Sequence, residues 1–217
     1  MEQQSPDKNT PGARELKKQR NRAAILLAGR EIFSTIGYDA ATVRDIVRES
    51  GLSPGTFYNY FEDKDAVFRD VIAEVVDQLR QRLRLARKNA VTGHQFLHQA
   101  FLTYFQLFSE HPQLMALVER NQAAVRHLVG EGHIVSELYT ELAADVVQAM
   151  DEGMMPRIPV GSLIIVMHGA GFEFLAQMSQ NPSLKAEEIS LFLADLFCGG
   201  MKQVAETRAK NKTAPEM

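Results

Sequence analysis

The stretch TVRDIVRESGLSPGTFYNYFEDK, residues 42–64, decides the fold. Thr42 is a good helix N-cap, and Asp45 three residues later can complete a capping box with it. Gly51 follows the last residue of that helix, and Ser53 is a good cap for a second one. Two short helices joined by a glycine-containing turn are typical of a helix-turn-helix, whose second helix enters the major groove of DNA.

A longer run around this stretch, FSTIGYDAATVRDIVRESGLSPGTFYNYFEDKDAVF, resembles the DNA-binding segment of the TetR family of bacterial transcriptional regulators. The resemblance covers about residues 20–70. Pro54 departs from the family pattern, because many relatives carry a polar or basic residue there, and it leaves one fewer side-chain donor to read bases. The residues that carry the resemblance in the expected order are Phe33, Gly37, Thr42, Ile46, Gly51, Gly55, Thr56, Tyr58, Phe61 and Lys64.

The resemblance implies an all-α fold, with an N-terminal three-helix helix-turn-helix domain and a larger C-terminal helical domain for ligand binding and dimerisation. One long helix from Lys64 to about Lys88 would join the two domains. We expect a disordered tail at 1–13, the DNA-binding domain at 14–65, the regulatory and dimerisation domain at 66–208, and a second disordered tail at 209–217.

Composition indicates a soluble globular protein. Of the 217 residues, 45% are hydrophobic and 24% are charged, which is ordinary for a globular chain. We expect no membrane span, because no run of about 20 uninterrupted apolar residues occurs. The polar N-terminus has no apolar core of a signal peptide. The single cysteine, Cys198, excludes an internal disulfide and fits a reducing compartment, so a cytoplasmic location is expected.

Positive charge is concentrated near the N-terminus, although the whole chain has a net charge of −3. Residues 14–22 are basic and are either a solvated helix start or an arm that follows a phosphate backbone or enters a minor groove. The run RQRLRLARK at 80–88 is also strongly basic. For this second run a solvated helix face is the preferred interpretation over another nucleic-acid contact.

Backbone contacts to DNA are assigned from the resemblance together with side-chain chemistry. Thr42 and Tyr60 are expected to bond phosphates, and Lys64 is expected to bring positive charge to the backbone. Tyr58 can pack on sugar or phosphate. Alternatively, the two tyrosines belong to the domain core. Phe57 and Phe61 are expected to fill the core side of this helix already, so the DNA contact is preferred.

Base contacts are expected from the start of the second helix and from its end. The helix N-terminus at Ser53–Gly55, with Pro54 at its first position, favours a phosphate or a base edge. Thr56 can meet a thymine methyl group or an acceptor, and Asn59 matches the N7 and N6 atoms of adenine. Arg44 is a second base reader or a phosphate contact.

The last two predicted helices carry more apolar surface than one chain can bury. Residues 160–180 are apolar on most sides, and 184–206 repeat large apolar residues. We therefore predict a homodimer in which this helix pair docks on its copy as a four-helix bundle. A two-fold dimer presents two recognition helices about 34 Å apart, so its target is an inverted repeat in double-stranded DNA.

The middle of the chain predicts the ligand site. Residues 94–110 and 112–120 read as helices, and 121–152 as one kinked helix or two, because Gly130 interrupts the pattern. Phenylalanines at helical spacing are also typical of plain core. An arginine in this region either pairs with Glu119, Glu131 or Glu137 or holds an acidic ligand head. The candidate ligand contacts are Phe101, Tyr104, Phe105, Phe108, Arg120, Asn121, Arg126, His168 and Phe172.

The resemblance implies a small apolar or amphipathic effector that binds the larger domain, shifts the connecting helix and releases the operator. Repression is the default for the family. The run VERNQAAVRHL at 118–128 resembles the branch that senses fatty acids or acyl-CoA. The alternative is a DNA-binding regulator without a small-molecule effector, which is controlled by a protein partner or acts architecturally.

Catalytic and metal-binding patterns are not found. We expect no enzyme and no cofactor, because the chain has no glycine-rich phosphate loop and no nucleophile elbow. His94 and His98 are one helical turn apart, but no cysteine or carboxylate at local spacing completes a metal site. We therefore expect no bound metal.

Overall fold

The computed structural model describes residues 12–87, 90–131 and 134–213, and all the regular secondary structure in this part of the chain is helical. The predicted all-α class is confirmed. The helices are α1 (Ala13–Thr35), α2 (Val43–Ser50), α3 (Pro54–Tyr58), α4 (Lys64–Arg87), α5 (Gly93–Ser109), α6 (Pro112–Arg120), α7 (Gln122–Gly130), α8 (Ser136–Asp151), α9 (Val160–Gln180) and α10 (Ala186–Thr213).

Two compact units divide the chain within α4: the first ends at Val71 and the second begins at Ile72. The sequence placed this boundary slightly earlier, after residue 65. The predicted N-terminal tail lies outside the described residues up to residue 11, and α1 begins at Ala13.

The C-terminal tail expected from residue 209 is wrong for residues 209–213, which continue α10 to Thr213. Residues 202–213 contain neither glycine nor proline, so nothing in their sequence ends the helix. Residues 214–217 lie outside the described part of the chain.

Local capping sets the helices of the first unit. The Thr42 Oγ1 atom accepts from the Asp45 amide at 3.3 Å, and the Asp45 carboxylate accepts from the Thr42 amide at 3.0 Å. These two bonds form the predicted capping box. Gly51 ends α2 at φ 66°, a left-handed conformation that favours glycine. The turn and the start of α3 follow directly from these residues.

Aromatic rings form the core of the first unit. Phe33, Phe57 and Phe61 are buried, and Phe68 joins them, with its ring centroid 5.0 Å from that of Phe33. Ile36, which follows the last residue of α1, is 43% exposed.

Close packing of α1 on the beginning of α4 requires a glycine. A Cβ atom added at Gly29 would lie 2.6 Å from the Cγ1 atom of Val67, well inside van der Waals contact. The two helices therefore approach each other more closely than any larger residue at this position would allow.

In the second unit α5 packs along α10 and α9, and its core includes the fully buried Leu97, Phe105, Leu175 and Leu193. Residues 121–152 form two helices, α7 and α8, rather than one kinked helix. This outcome selects one of the two alternatives that Gly130 left open.

Helix α9 buries one side and exposes the other. Ile165 and Val166 are 72% and 57% exposed, and on α10 Phe192 is 54% exposed. The Phe174 and Phe192 rings meet edge to face at 6.2 Å, so the open apolar faces of α9 and α10 adjoin. By length and composition α9 could cross a membrane, but core helices of soluble proteins pass the same test, so this is weak evidence.

Candidate functional site

The short helix α3 has a buried side and an open side. Phe57 is completely buried, whereas the next residue, Tyr58, is 58% exposed, with the two rings edge to face at 5.3 Å. Asn59, the C-cap of α3, is also exposed. Tyr58 and Asn59 are therefore presented to solvent together, as the helix-turn-helix prediction requires.

The N-terminus of α3 is held by a hydrogen-bonded pair. The Ser53 Oγ atom accepts from the Thr56 amide at 3.2 Å and lies 2.8 Å from the Thr56 hydroxyl. Pro54 and Gly55 are exposed beside this pair. A Cβ atom added at Gly55 would meet nothing within 4 Å, so the fold does not require glycine there.

The start of α2 lies open to solvent at Thr42 and Arg44. The Thr42 hydroxyl donates to the Asp45 carboxylate at 2.6 Å, and the bonds from Thr42 lower the pKa of Asp45. Arg44 is therefore exposed on the first turn of a capped helix, where it can contact a base or a phosphate.

Two of the side chains predicted to contact the DNA backbone, Tyr60 and Lys64, form hydrogen bonds within the first unit. Tyr60 is half-buried, and its hydroxyl accepts from Asn21 Nδ2 at 3.4 Å. The Lys64 Nζ atom donates to the carbonyls of Tyr38 at 2.7 Å and Ala41 at 3.0 Å, and lies 4.5 Å from the Tyr38 ring centroid. A direct phosphate contact by Lys64 would require the ammonium group to leave these carbonyls.

The basic run at 14–22 is part of α1 and is mostly exposed. Arg22 pairs with Asp70 and lies over the Phe61 ring at 5.6 Å. These residues therefore form the first turns of a solvated helix, in line with one of the two interpretations of the basic run.

The second unit contains two adjoining apolar chambers. They share the wall residues Leu79, Tyr104, Leu138, Tyr139 and His168. The first, of about 90 Å³, is completed by Leu83, Arg87, Ala100, Phe101, Leu142, Ile164, Met167 and Gly171. The second, of about 80 Å³, is completed by Ile72, Val75, Val76, Phe108, Val118, Val125, Val129, Val135 and Phe172.

Five of the predicted ligand contacts lie on these walls. Phe101 belongs to the first chamber, Phe108 and Phe172 belong to the second, and Tyr104 and His168 belong to both. The aromatic stripe of α5 is thus partly cavity wall and partly core.

The other predicted ligand contacts lie elsewhere. Phe105 is completely buried in the core, and Arg120 is exposed to solvent. Asn121 is buried between α6 and α7, and its Nδ2 atom donates to the Leu117 carbonyl at 2.6 Å. These three side chains are not among the chamber walls.

Arg126 is exposed and lies beside the second chamber. Its guanidinium group stacks over the Phe172 ring at 4.1 Å and lies 3.6 Å from the carboxylate of Glu173. The partner is therefore on α9, and not Glu119, Glu131 or Glu137 as the sequence suggested. Of the two alternatives, the structural pairing is thus made with a different glutamate, because it joins residues far apart in sequence.

Burial favours the neutral forms of the two tyrosines and the histidine of the chamber walls. Burial raises the pKa of the Tyr104 hydroxyl and raises that of Tyr139 to about 12. Burial, and then the nearby Arg126, lower the pKa of His168. The Tyr139 and His168 rings meet edge to face at 5.8 Å. These groups can exchange hydrogen bonds with a ligand without carrying charge.

The wall residue that the sequence missed is Arg87, which is only 7% exposed. Its Nη2 atom lies 2.6 Å from Asp145 Oδ2. Burial lowers its pKa, and Asp145 and Glu141 act in the opposite direction. A signal was available: Arg80 and Arg87 are seven residues apart on α4, and α8 carries Glu137, Glu141 and Asp145 four residues apart.

The two histidines considered for a metal site each have an acidic partner on α10. His94 Nε2 lies 2.9 Å from Asp195, and His98 Nε2 lies 3.3 Å from Glu187. Within the described residues, histidine, cysteine and acidic side chains form no group of three or more that could hold a metal ion.

Comparison with known proteins agrees with the helix-turn-helix. Residues 25–71 match the family model described as bacterial regulatory proteins, tetR family. This segment contains the end of α1, all of α2 and α3, and the start of α4. Regulators of this family are DNA-binding transcription factors and not enzymes.

Solved structures share the fold over most of the chain. The fatty acid degradation regulator FadR of Bacillus halodurans is 15% identical, with a TM-score of 0.73 over 89% of this chain and 98% of that one. FadR of Bacillus subtilis, solved in complex with stearoyl-CoA, is 19% identical, with a TM-score of 0.71 over 82% and 98%. A tetR-family regulatory protein of Rhodococcus RHA1 is 16% identical, with a TM-score of 0.66 over 85% and 97%.

The helix-turn-helix geometry, the matched segment and the shared all-helical architecture agree with one another. The N-terminal part of the chain, residues 25–71, therefore carries the DNA-binding segment of bacterial regulatory proteins of the tetR family.

Proposed function

We propose that this regulator binds an inverted-repeat operator as a cytoplasmic homodimer and is released by a small apolar or amphipathic effector, which makes it a repressor. The observation that carries the proposal is the apolar double chamber, because α4 supplies part of its walls and continues into the DNA-binding unit.

The DNA contact is supported by the open side of α3. Tyr58 and Asn59 are exposed next to the buried Phe57, so neither is held by the core. Gly55 has open space around it, which allows a sugar-phosphate backbone or a base edge to approach the main chain. We assign Asn59 and Arg44 to base recognition, and Thr42, Tyr58 and Tyr60 to the backbone.

The dimer is supported by the open apolar faces of α9 and α10. Side chains such as Ile165 and Phe192 are more than half exposed, and a contiguous apolar surface of this kind marks an interaction site. Docking these two helices on a second copy would bury them in a four-helix bundle. The two-fold axis would then pair the two recognition helices with the two halves of an inverted repeat.

Release by an effector is supported by the size of the chambers. Each is near 90 or 80 Å³, whereas ligand pockets usually measure roughly 300–1,000 Å³. An effector must therefore push the walls apart. Leu79 and Leu83 of α4 lie on those walls, so effector binding would favour a different position of α4. A ligand and an operator that prefer different states weaken each other's binding.

A fatty acid or an acyl-CoA suits these walls, because they are almost entirely apolar. The Bacillus subtilis neighbour was solved with stearoyl-CoA, which adds weight to this class of effector. The sequence resemblance at 118–128 points to the same branch.

Selection from random duplexes tests the DNA half of the proposal. The protein should enrich inverted repeats, and titration of an enriched duplex should saturate at an even number of chains. Fluorescence anisotropy with that duplex should then fall when dodecanoate or dodecanoyl-CoA is added. Enrichment of single half-sites, or of no sequence, would contradict the proposal.

The small chamber volumes also favour a second candidate, a regulator controlled by a protein partner or acting architecturally. In that case the chambers are ordinary packing defects, and acyl compounds should leave both the thermal midpoint and operator binding unchanged. A rise in the thermal midpoint with any acyl compound would exclude it.

A further inference from the structure

Arg87 is a buried cation on the wall of an apolar chamber, at the last residue of α4. Its side chain is only 4% exposed. Among the described residues that line the first chamber, it is the one permanently charged side chain. A guanidinium group in such a place needs a counter-charge and hydrogen-bond acceptors, because burying an uncompensated charge is costly.

The protein supplies only part of what this guanidinium group requires. Asp145 lies beside Nη2 and is itself 37% exposed, so it shares its charge with solvent. The Nε and Nη1 atoms are buried and have no hydrogen-bond partner among the described residues. A planar guanidinium group offers five donors in a fixed fork that matches a carboxylate.

The neighbouring arginine on α4 has more counter-charge around it, although its buried Nε atom also lacks a hydrogen-bond partner among the described residues. Arg80, two turns earlier, is surrounded by Asp77, Glu137 and Glu141. In the described part of the chain, Asp145 is the one acidic residue at ion-pair distance from Arg87. Among the described residues, Arg80 thus has three carboxylates within ion-pair distance, whereas Arg87 has one.

We propose that Arg87 binds the ionised acid head of the effector, with the apolar chain of that effector lying against Phe101, Leu142 and Met167 and continuing toward the second chamber. This inference rests on the proposed effector binding and narrows it to amphipathic monocarboxylates. The head group would be enclosed, so the ligand is a free acid and not a thioester, whose carbonyl carries no charge. Asp145 competes with the ligand for the same guanidinium group.

The experiment measures binding by displacement of N-phenyl-1-naphthylamine, a neutral fluorescent probe. The affinity of this probe should not depend on the charge of the side chain at position 87. The competitors are dodecanoate and dodecan-1-ol, which share a chain and differ in charge. They are titrated into the full-length protein and into Arg87→Met, Arg87→Lys, Asp145→Asn and Arg84→Met. Arg84 is exposed on the same helix and serves as the matched control.

The proposal predicts that dodecanoate binds the unchanged protein about tenfold or more tightly than dodecan-1-ol, as expected for a hydrogen bond to a charged group. Arg87→Met should abolish that difference, Arg87→Lys should retain part of it, and Arg84→Met should leave it intact. Asp145→Asn should tighten dodecanoate binding, because a competitor for Arg87 is removed. This last result decides the question even where Arg87→Met does not fold.

Two results would overturn the inference while leaving the proposed function in place. One is equal affinity for the acid and the alcohol, with no effect of Arg87→Met. The other is equal weakening of dodecanoate binding by Arg87→Met and Asp145→Asn, which would mean that the ion pair is purely structural. Failure of the probe and of both competitors to bind the unchanged protein would contradict the inference and the apolar effector together.

Discussion

The surface of α3 and the chambers of the second unit place polar side chains in opposite settings. On α3, Asn59 and Tyr58 are exposed above a buried Phe57. In the chambers, Arg87 and Tyr104 stand in apolar walls. The first arrangement follows from neighbours within a few residues, and the second from helices that are distant in sequence. The two regions therefore differ in how far a single substitution should act.

The largest effect on stability is expected when one residue on the buried side of α3, and then one on its open side, is replaced by alanine. Phe57→Ala should lower the stability of the first unit by about 3–5 kcal/mol, because a completely buried ring is removed. Chemical denaturation measures this change. Tyr58→Ala should stay within about 0.5 kcal/mol of the unchanged protein while weakening operator binding. Equal destabilisation by both would mean that Tyr58 belongs to the core.

Lys64→Met tests whether that lysine acts inside the first unit or on DNA. The change leaves the carbonyls of Tyr38 and Ala41 without their donor, so stability should fall by about 1–3 kcal/mol. Exposed Lys18→Met is the control and should be near neutral. An unchanged denaturation midpoint, together with a salt dependence of operator binding reduced by about one contact, would instead support the phosphate role.

Asn59→Ala should change specificity more than affinity for DNA in general. We expect a loss of about 1–3 kcal/mol on the preferred operator, confined to one base position, because an amide matches the edge of adenine. Binding to a panel of duplexes, each with one base pair changed, measures this. A uniform loss across the panel would assign Asn59 to the backbone.

Gly171→Ala tests whether the first chamber is used. The added methyl group would lie 3.5 Å from the Tyr104 ring, an ordinary contact, so the change should fit. Stability should rise by about 0.5–1 kcal/mol through helix propensity, while effector affinity falls. Gly169→Ala, where the Cβ atom meets nothing within 4 Å, should give the stability gain without the loss of affinity. Equal effector affinity in both variants would mean that the chamber is not the site.

The smallest effect is a pH dependence from His168. Burial and Arg126 lower its pKa in the folded state, so below the ordinary value of about 6.5 the unfolded chain binds more protons. The stability from this group is therefore complete above that pH and declines as pH falls toward the folded pKa. Thermal midpoints between pH 5.5 and 7.5 should decline less toward acid in His168→Gln. Parallel curves would show that His168 contributes nothing.

The comparison also explains what could be predicted from sequence. The capping box at Thr42, the turn at Gly51 and the cap at Ser53 depend on residues at most three positions apart, and each was read correctly. The exposure of Asn59 agrees with its assignment to base recognition. Helical periodicity was sufficient for these features.

The chambers could be predicted only in part, because periodicity identifies the apolar side of a helix but not which helix it meets. Phe101 and Phe105 are one turn apart on α5, yet one lines a chamber and the other is core. Arg87 lies in the basic run at 80–88, for which the sequence favoured a solvated helix face. Its burial depends on Asp145 of α8, which is distant in sequence.

Native mass spectrometry of the full-length protein with the DNA upstream of its own coding sequence tests the central claim most directly. The spectrum should show two chains, or an even number, on one duplex, and addition of dodecanoate should give the free duplex together with a protein dimer that carries the acid. A stable complex holding protein, duplex and acid at once, with the same amount of bound DNA, would contradict release by an effector.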